Sequence, residues 1–543
     1  MRRLLRVVLP VTCYACGKMF VKRTNVRSGD KILTYLQLVE SYRDGDRVRQ
    51  RVVKKLGRED HVDPAEIDRL MRSLAPYGSL PLGDASPLER VELLPGREYG
   101  SLHALDHVWS ELGLPDILED LAAGRRFGFP VASAVKAIVF GRVLEPSSER
   151  ALFTSWLSRV HAPEFESLEL HHAYRTLAFL SEVGPELEAR LTRALTDKLF
   201  ADASLVLFDT TSTYFEGVGP EGLAGFGFSR DKRGDRPQVN LGLLTSCEGY
   251  PLGHWLYPGR QSDVKSMALA SREFRERLSL GSFVVVADRG MVSRANLEAL
   301  RDEHIPYVIA ERLRRKASHE ALARAGRYKR VTPTLEVKEI SRDGSERLLV
   351  CRNLERARED ARTRAAILAH LEHQLQSGSW RGSLKPSARC YLQVDGAEAH
   401  LDTKRIKDDE RYDGKWVLRT TTDLPPEEVA LAYRGLWRVE RAFRTLKTPL
   451  ELRPIHHTSE AGVRGHVQTC VLAYGLTRII DDRLEQAGID TTTHTALQEL
   501  GRIERVPLHH AGHTLTRTTT ANTQQRAILT AIGASIPTQH HAT

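Results

Sequence analysis

Apolar positions recur along this chain in two patterns, and the switches between them mark its elements. "SLVLFD" (204–209) and "FVVVAD" (283–288) are short unbroken apolar runs, the signature of strands covered on both faces. "PQVNLGLLTS" and "YPLGHWLYPG" add two strands joined through "CEG" as a hairpin, and "PYVIAE" adds a fifth. Between these, "SDVKSMALASREFRERL", with Ser262 as its cap, and "SRANLEALRDEH", capped by Ser293, are read as helices. The predicted order from 204 onward is therefore β-β-β-α-β-α-β. Two of these strands end in an acid, Asp209 and Asp288. Parallel pairing would bring the acids together at the C-terminal ends of the strands, where α/β sheets usually place chemistry.

A third acid comes from helical spacing. In "YRGLWRVERAFRTLK" (433–447), Leu436, Val439, Phe443 and Leu446 follow steps of 3, 4 and 3 and define a buried stripe. At ~100° per residue, Tyr433, Glu440 and Lys447 stack on one line beside that stripe. Glu440 thus stands at the border between core and a face carrying Arg434, Arg438, Arg441 and Arg444. The simplest alternative is a solvated basic face on which Glu440 pairs with Arg444.

Elsewhere the pattern is coarser. Residues 20–58 read as a basic β-hairpin or meander, with "RDGD" as a turn, and "GSLPLGDASP" (78–87) as a linker. Residues 100–200 read as helical. Helices on either side of "EPSS", with Ser147 or Ser148 as N-cap, could be a helix-turn-helix or simply two packed helices. In 313–423 "TPTLEVKEISRDGSERLLVCRNL" alternates like strands, 355–377 is helical, and "ARCYLQVDGAEAHLDTKR" is strand-like again. "LPPEEVALAYRGLWRVERAFRTLK" opens a long helix with Pro425 or Pro426 in its first turn. The residues after about 485 read as a flexible polar tail, in which His509, His510 and His513 are weak metal candidates.

Composition narrows the function. The 543 residues suit about three or four domains, and 41% hydrophobic content suffices for real cores. The net charge of +9 suits an acidic partner such as nucleic acid. No apolar run is long enough to span a bilayer. The basic, then apolar, start "MRRLLRVVLPVTCYAC" resembles a weak signal peptide, but nothing downstream looks secreted. Six scattered cysteines agree with a reduced cytoplasmic protein, and Cys13-x-x-Cys16 is only half of a zinc site. There is no P-loop.

Three clustered carboxylates repel one another unless a cation intervenes. Hard divalent ions such as Mg²⁺ or Mn²⁺ prefer oxygen donors, and a pair of them supports phosphodiester cleavage. The bases around Glu440 would then hold the phosphates of the polymer being cut. "DTTST" is also similar to the aspartyl-phosphate loop of haloacid-dehalogenase-type phosphatases, but Thr211 stands where that loop needs its second Asp.

Four motifs decide between these readings: "LFDTTSTYFEG", "GFSRDKRGDRPQVNLGLL", "VVVADRGMVSRANLEAL" and "YRGLWRVERAFRTLKTPLELRPIHH". With them the chain, from about residue 20 onward, resembles a bacterial insertion-sequence DDE transposase of the IS-four-like group, the sixteen-thirty-four branch, which carries a Y-R-E-K signature. The resemblance implies an RNase H-like α/β catalytic core interrupted by a β-rich insertion, with a basic β-hairpin and helical N-terminal DNA-binding region. It implies Asp209, Asp288 and Glu440 as catalytic metal ligands, for Mg²⁺ or Mn²⁺ in a two-metal site. Tyr433 and Lys447 match the signature, whereas Leu436 stands where its arginine would fall, and Arg434, Arg438 and Arg444 are the candidates to supply that charge. Trp437 joins Tyr433 as a candidate contact to distorted end DNA.

The expected domains are 1–95, an N-terminal basic hairpin and linker; 96–200, a helical region with possible DNA binding; 201–312, the first part of the core; 313–423, the insertion; 424–480, the acidic helix and its successor; and 481–543, a tail. The expected activity is cleavage of element ends and strand transfer on double-stranded DNA, at terminal inverted repeats and target, by a homodimer without membrane association. The alternatives are another RNase H-like metal-dependent nuclease or a catalytically silent DNA-binding relic. Residues 1–18 precede Met19 and are expected to be dispensable for DNA binding and cleavage.

Overall fold

The computed structural model describes residues 19–541 except 29–30, 45–46, 75–76, 78–91, 200–203, 262–265, 279–282, 292, 315, 341–345, 382–383, 397, 511–512 and 539. The Cys13–Cys16 pair, the 78–87 linker and the Ser262 cap lie outside these residues. The chain divides into two compact units, residues 1–92 with 510–512, and 93–509 with 513–543.

In the first unit β1 (Met19–Ser28), β2 (Lys31–Asp44) and β3 (Arg47–Arg58) form an antiparallel meander, followed by a helix over Pro64–Leu74. Arg47, Arg49 and Arg51 alternate along β3, so they project from one face, and all three are exposed.

The second unit begins with helices that include α1 (Val131–Leu144) and α2 (Leu170–Leu199). Ser148, rather than Ser147, caps the short helix Glu149–Ala151 by accepting a bond from the Ala151 N–H. Three antiparallel strands follow, β4 (Leu205–Tyr214), β5 (Gln238–Ser246) and β6 (Pro251–Pro258). Next come β7 (Val284–Ala287), which pairs parallel to β4, and β8 (Tyr307–Ala310), parallel to β7. These two strands are almost wholly buried, as their unbroken apolar runs require. The local order β6-β5-β4-β7-β8 forms one half of a nine-stranded mixed sheet.

The other half overturns part of the expected organisation. Strands β9 (Leu335–Ile340) and β10 (Arg347–Asn353), the helix α3 (Leu354–Gln376) and the strand β11 (Lys415–Thr420) come from the segment expected as a separate insertion. β11 instead hydrogen-bonds to β8, and the sheet continues through β10 and β9 to a two-residue strand at Lys329–Arg330. The physical reason is that β8 would otherwise be an unpaired, fully apolar edge. Within 313–423 the portion from α3 to Glu410 is mostly helical, with one two-stranded hairpin, and packs on its own apolar cluster around Leu371, Ala388 and Tyr391.

The helix expected to run unbroken from "LPPEEV" is two helices, α4 (Pro426–Arg434), with Pro426 at its first position, and α5 (Trp437–Lys447). They are separated at Gly435 and Leu436, where the chain makes a tight turn. The stripe Leu436, Val439, Phe443 and Leu446 is buried as its period predicted, each large side chain stabilising the docked helix by about 1.5–3 kcal/mol. α6 (Glu460–Gln486) packs against α1 and α2, and Gly465 permits the close approach: a Cβ there would lie 2.1 Å from the Leu177 carbonyl oxygen.

α1 is apolar around nearly its whole circumference and is enclosed. One further expectation fails because of burial. The terminal segment is not a flexible tail: β12 (Glu504–His510) pairs with β13 (His513–Thr518), and α7 (Thr523–Ile532) buries Ile528, Leu529 and Ile532 against the core. Interspersed polar residues mask that helical stripe in the sequence.

Candidate active site

The parallel register of β4 and β7 pairs Phe208 with Ala287, so Asp209 and Asp288 are the next residues along two neighbouring strands, about 5 Å apart in the sheet. Asp209 accepts a bond from the Thr210 N–H at 2.7 Å, and the Arg230 guanidinium lies 3.9 Å from it. Asp288 accepts a 2.8 Å bond from the Tyr433 hydroxyl. Burial, and then the charge of Asp288, push that phenol far above its ordinary pKa, so it stays a neutral donor.

Glu440, in the first turn of α5, enters the same cleft as the two aspartates, a space of about 620 Å³. Its carboxylate is exposed, and among the described residues it forms no ion pair with Arg444 or any other base. Arg289, Arg356 and Lys415 line this cleft as well. None was singled out in the sequence, although Arg289 directly follows Asp288; Arg356 and Lys415 reach the cleft only because β11 and α3 fold beside it.

The basic residues of 433–447 separate by role. Arg434 and Trp437 line the cleft, and the Trp437 ring is 48% exposed with Arg438 stacked over it at 5.0 Å. Arg441 is tied to Asp481 and Glu485 on α6. Arg444 is exposed outside the cleft lining. Lys447 departs most from expectation. Two turns beyond Glu440, its ammonium bonds Asp231 at 3.0 Å with only 9% of its side chain exposed, and Arg453 approaches the same Asp231 oxygen at 2.5 Å. Leu436 is core and lines the cleft, leaving Arg434 as the arginine of this group facing the acids.

The donor set fits hard divalent ions. Three carboxylates line one cleft, and among the described residues neither Asp288 nor Glu440 has a Lys or Arg within ion-pair distance. Carboxylate oxygens are the donors that hard divalent ions prefer. The Tyr433 bond predicts that Tyr433→Phe, which removes one hydrogen bond to a charged group worth about 1.5–3 kcal/mol, lowers cleavage roughly 10- to 100-fold with DNA affinity unchanged. A gel shift and a cleavage time course on the one variant check both halves.

Residues 200–476, which include all three acids, match the transposase DDE domain. The chain belongs to the DDE transposases. Residues 21–80 match the N-terminal domain of the IS1634 family transposases, which makes this transposase an insertion-sequence enzyme of that type rather than another nuclease. As such it is a metal-dependent enzyme of DNA cleavage and strand transfer. No curated protein matches the transposase. A piggyBac transposase synaptic complex with hairpin DNA, solved by cryo-electron microscopy, is similar at a TM-score of 0.38 and 11% identity, over 74% of this chain and 78% of that one. Among the described residues no helix is long and apolar enough to cross a membrane.

Proposed function

We propose that Asp209, Asp288 and Glu440 are the catalytic acids and together hold two ions, Mg²⁺ or Mn²⁺. The observation that carries this reading is their convergence in one cleft, two as register neighbours and the third on an apolar-anchored helix. The bound ions would supply Lewis-acid activation of the attacking oxygen and stabilisation of the leaving one. The chain's own groups do the rest. Tyr433 holds the Asp288 carboxylate in one orientation through its hydroxyl. Arg289 and Arg434 carry the positive charge at the cleft that a phosphate needs, and Trp437 offers an open face to an unstacked base. The β6-β5-β4-β7-β8 order, three antiparallel strands followed by two parallel ones, supports an RNase H-like core that β9–β11 extend.

The substrates in this reading are the element's terminal inverted repeats and the target DNA, handled by a homodimer in the cytoplasm. The basic face of β3 suits end binding through phosphates. The test is cleavage of labelled element ends with Mg²⁺ or Mn²⁺: metal-dependent nicking at the end is expected, and metal-independent or absent cleavage by folded, end-binding protein overturns the assignment. Trp437→Ala should weaken binding of distorted end DNA by about 1–3 kcal/mol while sparing intact duplex. Equal loss on both DNAs in a gel shift would make Trp437 a general contact.

A further inference from the structure

The second cavity, about 580 Å³, holds a group of side chains that the reaction does not use. Glu149 stands on the short helix after Ser148, His457 lies in the loop after α5, and His466 is on α6. One Glu149 oxygen is 3.7 Å from His457 Nε2 and the other is 3.8 Å from His466 Nδ1, and one ligand atom from each residue lies within 4.8 Å of the others.

These spacings carry the argument. His466 is 5% exposed, and its Nε2 lies 3.2 Å from the Leu452 carbonyl oxygen, which can only accept. Nε2 therefore carries a proton, and Nδ1 faces a carboxylate. Nδ1 is buried with no hydrogen-bond partner. At 3.8 Å Nδ1 and the carboxylate oxygen are too far apart for a direct hydrogen bond, and the gap between them is one that a cation can fill. An ion with bonds of about 2.0–2.2 Å to nitrogen and oxygen holds tetrahedral ligands roughly 3.4 Å apart, near the distances found here. The bond from His466 to a backbone carbonyl is the usual outer contact that fixes the tautomer of a ligating histidine. Arg142 Nη2, 3.3 Å from Glu149, orients the carboxylate in the same way.

We propose that Glu149, His457 and His466 form a binding site for a zinc-class ion, separate from the three acids. Two imidazoles and one carboxylate select such ions over Mg²⁺ or Mn²⁺, and the fourth position opens to the cavity, where water completes the shell. The site would pin the loop that follows α5 to the helical region before β4, bracing the acidic helix from its far end.

The test uses the tag-free full chain carrying Asp209→Asn, Cys13→Ser and Cys16→Ser, so that neither the acids nor the N-terminal thiols contribute. Titration with Co²⁺ should give one ion per chain with tetrahedral ligand-field absorption and no thiolate charge-transfer band, displaced by one equivalent of Zn²⁺. His457→Ala should abolish that absorption while circular dichroism shows the fold retained. X-ray absorption on the cobalt-loaded chain with its histidines intact should show imidazole scattering, so the proposal stays testable even if the histidine variant does not fold. Absence of tetrahedral Co²⁺, an all-oxygen or sulfur shell, or unchanged binding by folded His457→Ala would each overturn it.

Discussion

Glu440→Gln is expected to abolish cleavage while leaving the folded chain and its grip on DNA intact. Gln keeps the shape and helix propensity of Glu, and position 440 is exposed on a helix anchored by Val439, Phe443 and Leu446, so stability should change by no more than about 0.5 kcal/mol. What disappears is the charge of one of the three carboxylates that line the cleft. Loss of an outer contact to a metal ligand already costs about 10- to 100-fold, so loss of a ligand's charge should cost at least about a hundredfold. Affinity for end DNA should hold or rise, because a negative charge beside the phosphates is gone. Full cleavage by this variant would reduce Glu440 to a solvated surface acid.

The second large effect is structural. Asp231 sits between Lys447 and Arg453, with its own side chain 7% exposed and that of Lys447 9% exposed. Asp231→Ala leaves two cations facing each other with little water to screen them. Removing one partner of a buried pair costs about 3–5 kcal/mol, mostly as the penalty on the charge left behind. The burial of Lys447 already pulls its pKa below the ordinary lysine value, which is the same penalty seen while the partner is present. Thermal melting of Asp231→Ala should therefore fall markedly, and cleavage measured below the new midpoint should be spared relative to Glu440→Gln. A shift worth under about 1 kcal/mol would mean that water screens the group.

The same residue shows where a linear signature stops being informative. Tyr433, Glu440 and Lys447 share one line on a helical projection, which suggested one shared surface. A line on a helix spans two turns, however, and what each side chain meets depends on the elements packed there. Tyr433 meets the end of β7 and binds an acid, Glu440 opens to the cleft, and Lys447 meets the loop carrying Asp231.

Local pattern by itself determined a good deal. Unbroken apolar runs marked β4, β7 and β8, because strands covered on both faces tolerate nothing else. The 3.6-residue stripe marked α5 and placed Leu436 in the core, and Ser293 ended its loop as a helix cap, because capping is a matter of adjacent residues. Asp209, Asp288 and Glu440 were legible because each sits where such a pattern ends or borders a polar face. Only tertiary structure decided which strand β8 would pair with next, since an apolar edge can be covered by any strand with a matching face and β11 lies over a hundred residues away. It likewise decided that α1 is interior, that the C-terminal segment is packed, and that Glu149, His457 and His466 meet. Those residues belong to segments some three hundred positions apart, and nothing in the local period of either segment encodes the approach of α6 to α1 and α2 that brings them together.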